Sequence, residues 1–95
     1  MIALVVDFLV REGAEEQAKK YIRIMEEQTR HEPGCRLYIG HQSQDDSRRF
    51  LFYEQYVDQA ALDAHRAAPY FAQYVTNGLA TLIESRSASL FHTIS

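Results

Sequence analysis

Ile2-Ala-Leu-Val-Val-Asp-Phe-Leu-Val10 is apolar on both of its alternating faces. Ile2, Leu4, Val6, Phe8 and Val10 share one parity, Ala3, Val5 and Leu9 share the other, and Asp7 is the single exception. Strands favour such β-branched and large apolar residues. A strand half exposed to water would alternate with polar residues, so the pattern predicts a strand central in its sheet and covered on both faces. Arg49 to Val57 repeats it, with Phe50, Phe52 and Tyr56 against Leu51, Tyr53 and Val57. Glu54 interrupts that run as Asp7 interrupts the first.

The segments around these two strands follow from periodicity. After Glu12-Gly13, Ala18, Tyr21, Ile22 and Met25 recur at helical spacing, which predicts a helix from about Ala14 to Arg30. Glu15 and Glu16 suit its first turn, and Glu32-Pro33-Gly34 stops the chain from continuing as a helix. Cys35 to Ser43 reads as a strand, with Leu37 and Ile39 on one face and Tyr38 on the other. The polar turn Gln44–Ser47 then leads into the Arg49 strand. Asp58 is an N-cap for a short helix through Arg66, and Pro69 starts another. Phe71, Val75, Leu79 and Leu82 form one apolar stripe along that second helix, with Gly78 inside it. Arg86 to Ile94 completes the chain as a strand, carrying Ala88, Leu90, His92 and Ile94 on one face.

The order is β-α-β-β-α-β with a broken second helix, in one domain spanning residues 1–95. It predicts an α+β, ferredoxin-like split βαβ fold with a four-stranded antiparallel sheet. Helices can cover only one face of such a sheet. Because the central strands are apolar on both faces, the other requires a cover, and back-to-back pairing in a homodimer supplies it.

Composition excludes several classes. The net charge is −3 and Lys and Arg are dispersed, so nucleic acid is not an expected partner. A single cysteine, Cys35, forms no internal disulfide and suits a reducing compartment. The opening strand lacks the basic start of a signal peptide, and no apolar run nears the roughly 20 residues of a membrane span. The expectation is a cytoplasmic protein without membrane contact.

Chemistry-bearing residues are few. His31, His41, His65 and His92 fit no metal-binding spacing, and neither phosphate-loop nor nucleophile-elbow motifs occur. Asp7 and Glu54 stand out because a buried carboxylate costs several kcal/mol unless bonded or protonated. Each either bonds a tyrosine, a histidine or a helix end, or belongs to a site. In Asp63-Ala-His-Arg-Ala-Ala-Pro-Tyr-Phe71, His65 shares a helical face with Ala61 and Leu62 and aims inward beside Tyr70 and Phe71. It is either a packing residue at a helix junction or a proton-transfer group against a flat ligand.

Three elements together resemble the antibiotic biosynthesis monooxygenase family: Glu32-Pro-Gly-Cys-Arg-Leu-Tyr38, Phe52-Tyr-Glu-Gln-Tyr56 followed by Asp58-x-Ala-Ala-Leu62, and Ala64-His-x-x-x-Pro-Tyr-Phe71. The resemblance covers essentially the whole chain and implies a dimeric α/β barrel with a ligand pocket between the sheet and the broken helix. It implies His65 and Glu54 as catalytic residues, with Asp7, Tyr38, Tyr53, Tyr70 and Phe71 binding substrate. The haem-degrading and polyketide-tailoring branches rely on a tryptophan, and this chain has none. Its pattern is more similar to the quinol-oxygenase and autoinducer-2-isomerase members. The activity so implied is a cofactor-independent monooxygenase acting on a small quinol-like or phenolic compound and dioxygen, with no metal and with His65 as base. The alternatives are an isomerase of a small carbonyl compound such as phosphorylated autoinducer-2, and a non-catalytic metabolite-binding dimer. A phosphorylated substrate would call on Arg66 and Arg36 at the pocket mouth.

Overall fold

The computed structural model describes all residues from Met1 to Ser95. Strand β1 spans Ile2–Val10, helix α1 Glu15–Thr29, β2 Cys35–Gln42, β3 Arg49–Tyr56, α2 Gln59–Ala67 and α3 Pro69–Phe71. A π-helical turn at Ala72–Thr76 and a 3-10 turn at Leu79–Leu82 lead into β4, Ile83–His92. The sheet order is β2-β3-β1-β4, with every neighbouring pair antiparallel. This is the ferredoxin-like α+β fold, and β1 lies inside the sheet as its two-faced apolar pattern predicts.

Register separates the two faces. On the even parity, Phe8 lies opposite Phe50, Val6 opposite Phe52 and Leu4 opposite Glu54 on β3. Beyond β3, Glu54 faces Tyr38 and Phe52 faces Gly40 on β2. Helix α1 packs Ala18, Ile22 and Met25 onto this face to form the main core with Phe8, Phe50, Phe52 and Tyr38. A Cβ on Gly40 would come within 2.3 Å of Ile22 Cγ2, so the glycine is what lets α1 approach β2 closely. On the odd parity lie Val5, Leu9, Leu51, Tyr53, Leu37 and Ile39, and no helix covers them.

The second helical region departs from one continuous helix. Asp58 caps α2 by accepting a bond from the Ala61 amide at 2.9 Å. Ala68, held extended because Pro69 follows, then breaks the axis. The Phe71–Leu82 stripe is carried by three short turns rather than one helix. The Asn77 amide reaches back five residues to the Ala72 carbonyl. At Gly78 a Cβ would sit 2.5 Å from the Tyr74 carbonyl oxygen, so only glycine permits that bend. The last strand begins three residues earlier than its composition suggested, at Ile83, and Ile94 lies beyond it. Pairing with β1 from Val10 through Ile2 fixes its length, and a bulge at Leu9/Val10 accommodates Ile83.

Candidate active site

The site lies on the helix-covered face, where Leu4, Glu54 and Tyr38 form one row across three strands. Glu54 is almost entirely buried and accepts a hydrogen bond from the Tyr56 hydroxyl at 2.5 Å. From α2, whose Leu62 and His65 face inward, the imidazole of His65 inserts among three aromatic rings. The ring centroids of Tyr38, Tyr56 and Phe71 lie 5.5, 5.4 and 5.3 Å away, Phe71 edge-on.

Two carboxyl groups flank the imidazole. Glu32, in the loop after α1, places Oε2 2.9 Å from His65 Nδ1, and the same oxygen accepts the Tyr70 hydroxyl. Burial and the bond to Glu32 both push the Tyr70 phenol up, so it keeps its proton and donates. Oε2 is therefore an acceptor, which puts the imidazole proton on Nδ1 and leaves Nε2 with a free lone pair. Glu54 Oε1 lies 3.9 Å from that Nε2. Burial pushes Glu54 up to about 7, against the opposing pull of the Tyr56 hydrogen bond and the Arg66 charge. Burial lowers His65 below its usual range, a shift its bond to Glu32 only partly offsets. At neutral pH the pair thus shares an unprotonated imidazole nitrogen and a carboxyl group near half protonation.

A cavity of about 270 Å³ opens beside them. The sheet contributes Leu4, Val6, Tyr38, Phe52 and Glu54, and the broken helix contributes His65, Phe71 and Val75. Neither Nε2 of His65 nor Oε2 of Glu54 has a protein partner, and neither is sealed in, since Thr29 Oγ1 is the one enclosed side-chain polar atom without a bond. No group of three or more His, Cys, Asp and Glu side chains is arranged to hold a metal ion.

Of the residues singled out in the sequence, the structure brings His65, Glu54, Tyr38 and Phe71 together around this cavity. Tyr70 stands behind them, holding Glu32 instead of facing the cavity. Asp7 and Tyr53 do not belong to it, because both have odd parity and project from the uncovered face. Asp7 is bonded by Arg49 through Nε at 3.0 Å and Nη2 at 2.5 Å, and this bonding holds its carboxyl below the usual range. Tyr53 OH accepts a bond from Gln55 Nε2 at 2.8 Å. Arg36, the extra residue in an irregularity of β2, is exposed away from the cavity, whereas Arg66 lines it. Burial and the neighbouring Glu32 raise the Cys35 thiol to about 11, which keeps it protonated and unreactive.

Two residues of the site escaped sequence reasoning. Glu32 reads as part of a helix stop, and its partner His65 is 33 residues away, so no spacing signals their contact. Arg86 reads in the sequence only as the first residue of the last strand. Its even register, opposite Phe8, turns it to the cavity side.

The family model for antibiotic biosynthesis monooxygenases matches residues 1–77. The chain belongs to this family. Among solved structures, one antibiotic biosynthesis monooxygenase matches with a TM-score of 0.92 at 26% identity over the whole of both chains. Protein SO0527 of Shewanella oneidensis gives a TM-score of 0.90 at 34% identity, covering 97% of this chain and 89% of that one. PA3566 of Pseudomonas aeruginosa gives 0.91 at 26% identity, covering 99% and 94%. Among curated sequences, the uncharacterized protein sll1783 of Synechocystis sp. is 41% identical over 49 residues, 52% of this chain and 33% of that protein. This antibiotic biosynthesis monooxygenase family chain therefore matches about a third of the length of that curated relative. No helix is long and apolar enough to cross a membrane.

Proposed function

We propose that the chain is a cofactor-independent monooxygenase of a small phenolic or quinol-type compound, working in the cytoplasm as a homodimer, with His65 as general base. The observation that carries this reading is the Glu32–His65 pair, whose Nε2 is free at the edge of an apolar cavity. A carboxylate behind Nδ1 fixes the tautomer and stabilises the imidazolium once Nε2 takes a proton, the logic of hydrolase triads applied to a phenol.

In this scheme Nε2 removes a substrate hydroxyl proton, and the electron-rich anion gives one electron to dioxygen. The radical pair joins a ring carbon to oxygen, and the imidazolium protonates the resulting peroxide. His65 then takes the proton from that ring carbon while the O–O bond breaks, and Glu54, near half protonation at neutral pH, supplies a proton to the departing oxygen. A benzenediol and dioxygen so give a hydroxyquinone and water, the substrate supplying every electron. Apolar walls protect the anion and the peroxide from solvent.

The test is incubation of the metal-free protein with hydroquinones and phenols under heavy-isotope dioxygen. Label in the product, and its loss by at least about 100-fold in a folded His65→Ala variant, are the expected results. Unlabelled product, or full activity in that variant, would overturn the scheme. The 3.9 Å approach of Nε2 to Glu54 Oε1 favours one second reading, proton shuttling through an enol of a small carbonyl compound. An isomer of unchanged mass would be its signature.

A further inference from the structure

We infer that the cavity is built for an anionic aromatic, a single ring whose hydroxyl meets His65 and whose acidic substituent pairs with Arg66 and Arg86. This deepens the oxygenase reading and rests on it for the placement of the hydroxyl only.

Four of the eight arginines are engaged within the chain. Arg11 donates to the Thr81 carbonyl, Arg30 to the Tyr38 carbonyl, Arg48 to Glu84 and the Val10 carbonyl, and Arg49 to Asp7. Arg23, Arg36, Arg66 and Arg86 make no ion pair and no side-chain hydrogen bond within the chain, and of these four only Arg66 and Arg86 border the cavity. They approach it from different elements, Arg66 from the last turn of α2 and Arg86 from β4. Two uncommitted guanidinium groups thus border one apolar hollow, each from its own element.

The charge balance points the same way. The chain as a whole carries a net charge of −3. Among the residues lining the cavity, these two arginines supply the positive charge, while Tyr38 keeps its proton, burial lowers His65 and burial neutralises Glu54 in part. An acidic protein thus holds a locally positive pocket, and guanidinium groups match the planar oxygens of carboxylate and phosphate. Size limits the rest of the ligand. About 270 Å³ is just below the usual range of roughly 300–1,000 Å³ for small-molecule sites, enough for one ring and short substituents.

The experiment is calorimetric titration, without dioxygen, of three probes: hydroquinone, 2,5-dihydroxybenzoate and 4-hydroxyphenyl phosphate. At least one acid is expected to bind about ten-fold tighter than hydroquinone or better, and the two acids distinguish carboxylate from phosphate. Arg66→Gln/Arg86→Gln should abolish that advantage, as should raising the salt concentration, while Arg66→Lys/Arg86→Lys keeps part of it. Both positions are exposed, so the double variant is expected to fold, and its thermal unfolding checks this. Equal binding of all three probes, absence of binding by both acids, or an advantage that survives Arg66→Gln/Arg86→Gln would overturn the inference. Because binding is read without oxygen, its outcome is independent of the isotope experiment: labelled hydroquinone product with no preference for acids removes this inference and leaves the oxygenase standing, and the converse removes only the oxygenase.

Discussion

Glu54 and His65 shift in opposite directions for the same reason, burial, and each shift has a consequence for stability. Glu54 rises from 4.5 to about 7 on folding. Its carboxyl costs nothing below pH 4.5, where it is protonated folded or unfolded, and its penalty grows between pH 4.5 and about 7, where the unfolded chain ionises and the folded one stays protonated, and is complete above that. A shift of that size corresponds to about 3 kcal/mol at pH 8. Glu54→Gln keeps an oxygen for the Tyr56 hydroxyl, so the variant should gain on the parent by about 1–3 kcal/mol between pH 5 and pH 8 in urea unfolding. Parallel pH profiles would contradict the burial argument. His65 works the other way, its cost being present at low pH and vanishing as pH rises through 6.5, so the comparison of variant with parent isolates Glu54. For Glu32→Gln, loss of the carboxylate that supports the imidazolium should lower kcat by about 100-fold or more and move the acid limb of the pH–rate profile to lower pH, because the Glu32 bond raises the His65 pKa. An unmoved acid limb would show that Glu32 does not act through His65. At this scale the sequence was legible in part. Helical spacing turned His65 inward and strand parity set Glu54 apart, but the same parity rule, applied to Asp7 and Tyr53, already put both on the opposite face. The family resemblance had assigned them to the pocket. Glu32 was illegible because its role arises from a contact between distant segments.

Elements hold these residues in place at their ends and crossings. Helix α2 depends on Asp58, whose side chain satisfies the Ala61 amide. Asp58→Ala should cost about 1 kcal/mol in chemical denaturation, with a rise in the mobility of the helix that presents His65. A destabilisation below a few tenths would mean the cap is replaced by water. Gly40 is a stricter constraint, since an added methyl would meet Ile22 at 2.3 Å and Ile22 is buried against the sheet. Gly40→Ala should destabilise by about 1–3 kcal/mol as overpacking forces α1 outward, and a neutral effect would show that α1 shifts freely. Strands β1 to β3 and helices α1 and α2 were legible to within a residue or so, because each is a continuous apolar run or a helical stripe with turn or capping residues close to its ends. The region from Pro69 to Ile83 was not. Its apolar residues keep a helical spacing through Phe71, Val75, Leu79 and Leu82, so periodicity alone joins them. The breaks come from a π-type bond at Asn77 and the crowding of Gly78 by Tyr74 and Tyr21, contacts that exist only once the turns are folded. Ile83 follows directly on Leu82, the last residue of that stripe, with no turn signal between them, which hides the true start of β4.

The whole molecule presents one face with no cover. Across its rows stand Leu37 with Gln55, Ala3 and Phe91, then Ile39 with Tyr53, Val5 and Ser89, then His41 with Leu51, Asp7 and Ser87. The apolar residues form a band through β2, β3 and β1, and the Asp7–Arg49 pair beside it is already hydrogen-bonded, so burying it leaves no charge unmatched. Four strands about 4.8 Å apart and roughly nine residues long at about 3.3 Å each make a face of about 600 Å² in projection. Its accessible area is larger than its projection and so is comparable to the roughly 800 Å² per partner of a stable interface. Phe91, which pairs with Ala3 and is exposed, carries the apolar surface of this face onto β4 and extends the area available to a second copy. Sedimentation should therefore give about twice the 11.0 kDa chain mass at micromolar concentration. Leu51→Asp and Tyr53→Lys place charges in the centre of the band without touching the core on the other face, and each should yield a monomer whose far-ultraviolet circular dichroism is unchanged. The cavity lies on the opposite side of the sheet, so the monomer should still bind the ligand with an affinity reduced only as far as loss of the partner loosens the sheet. A parent chain that sediments as a monomer, or variants that remain dimeric, would move the interface away from this face.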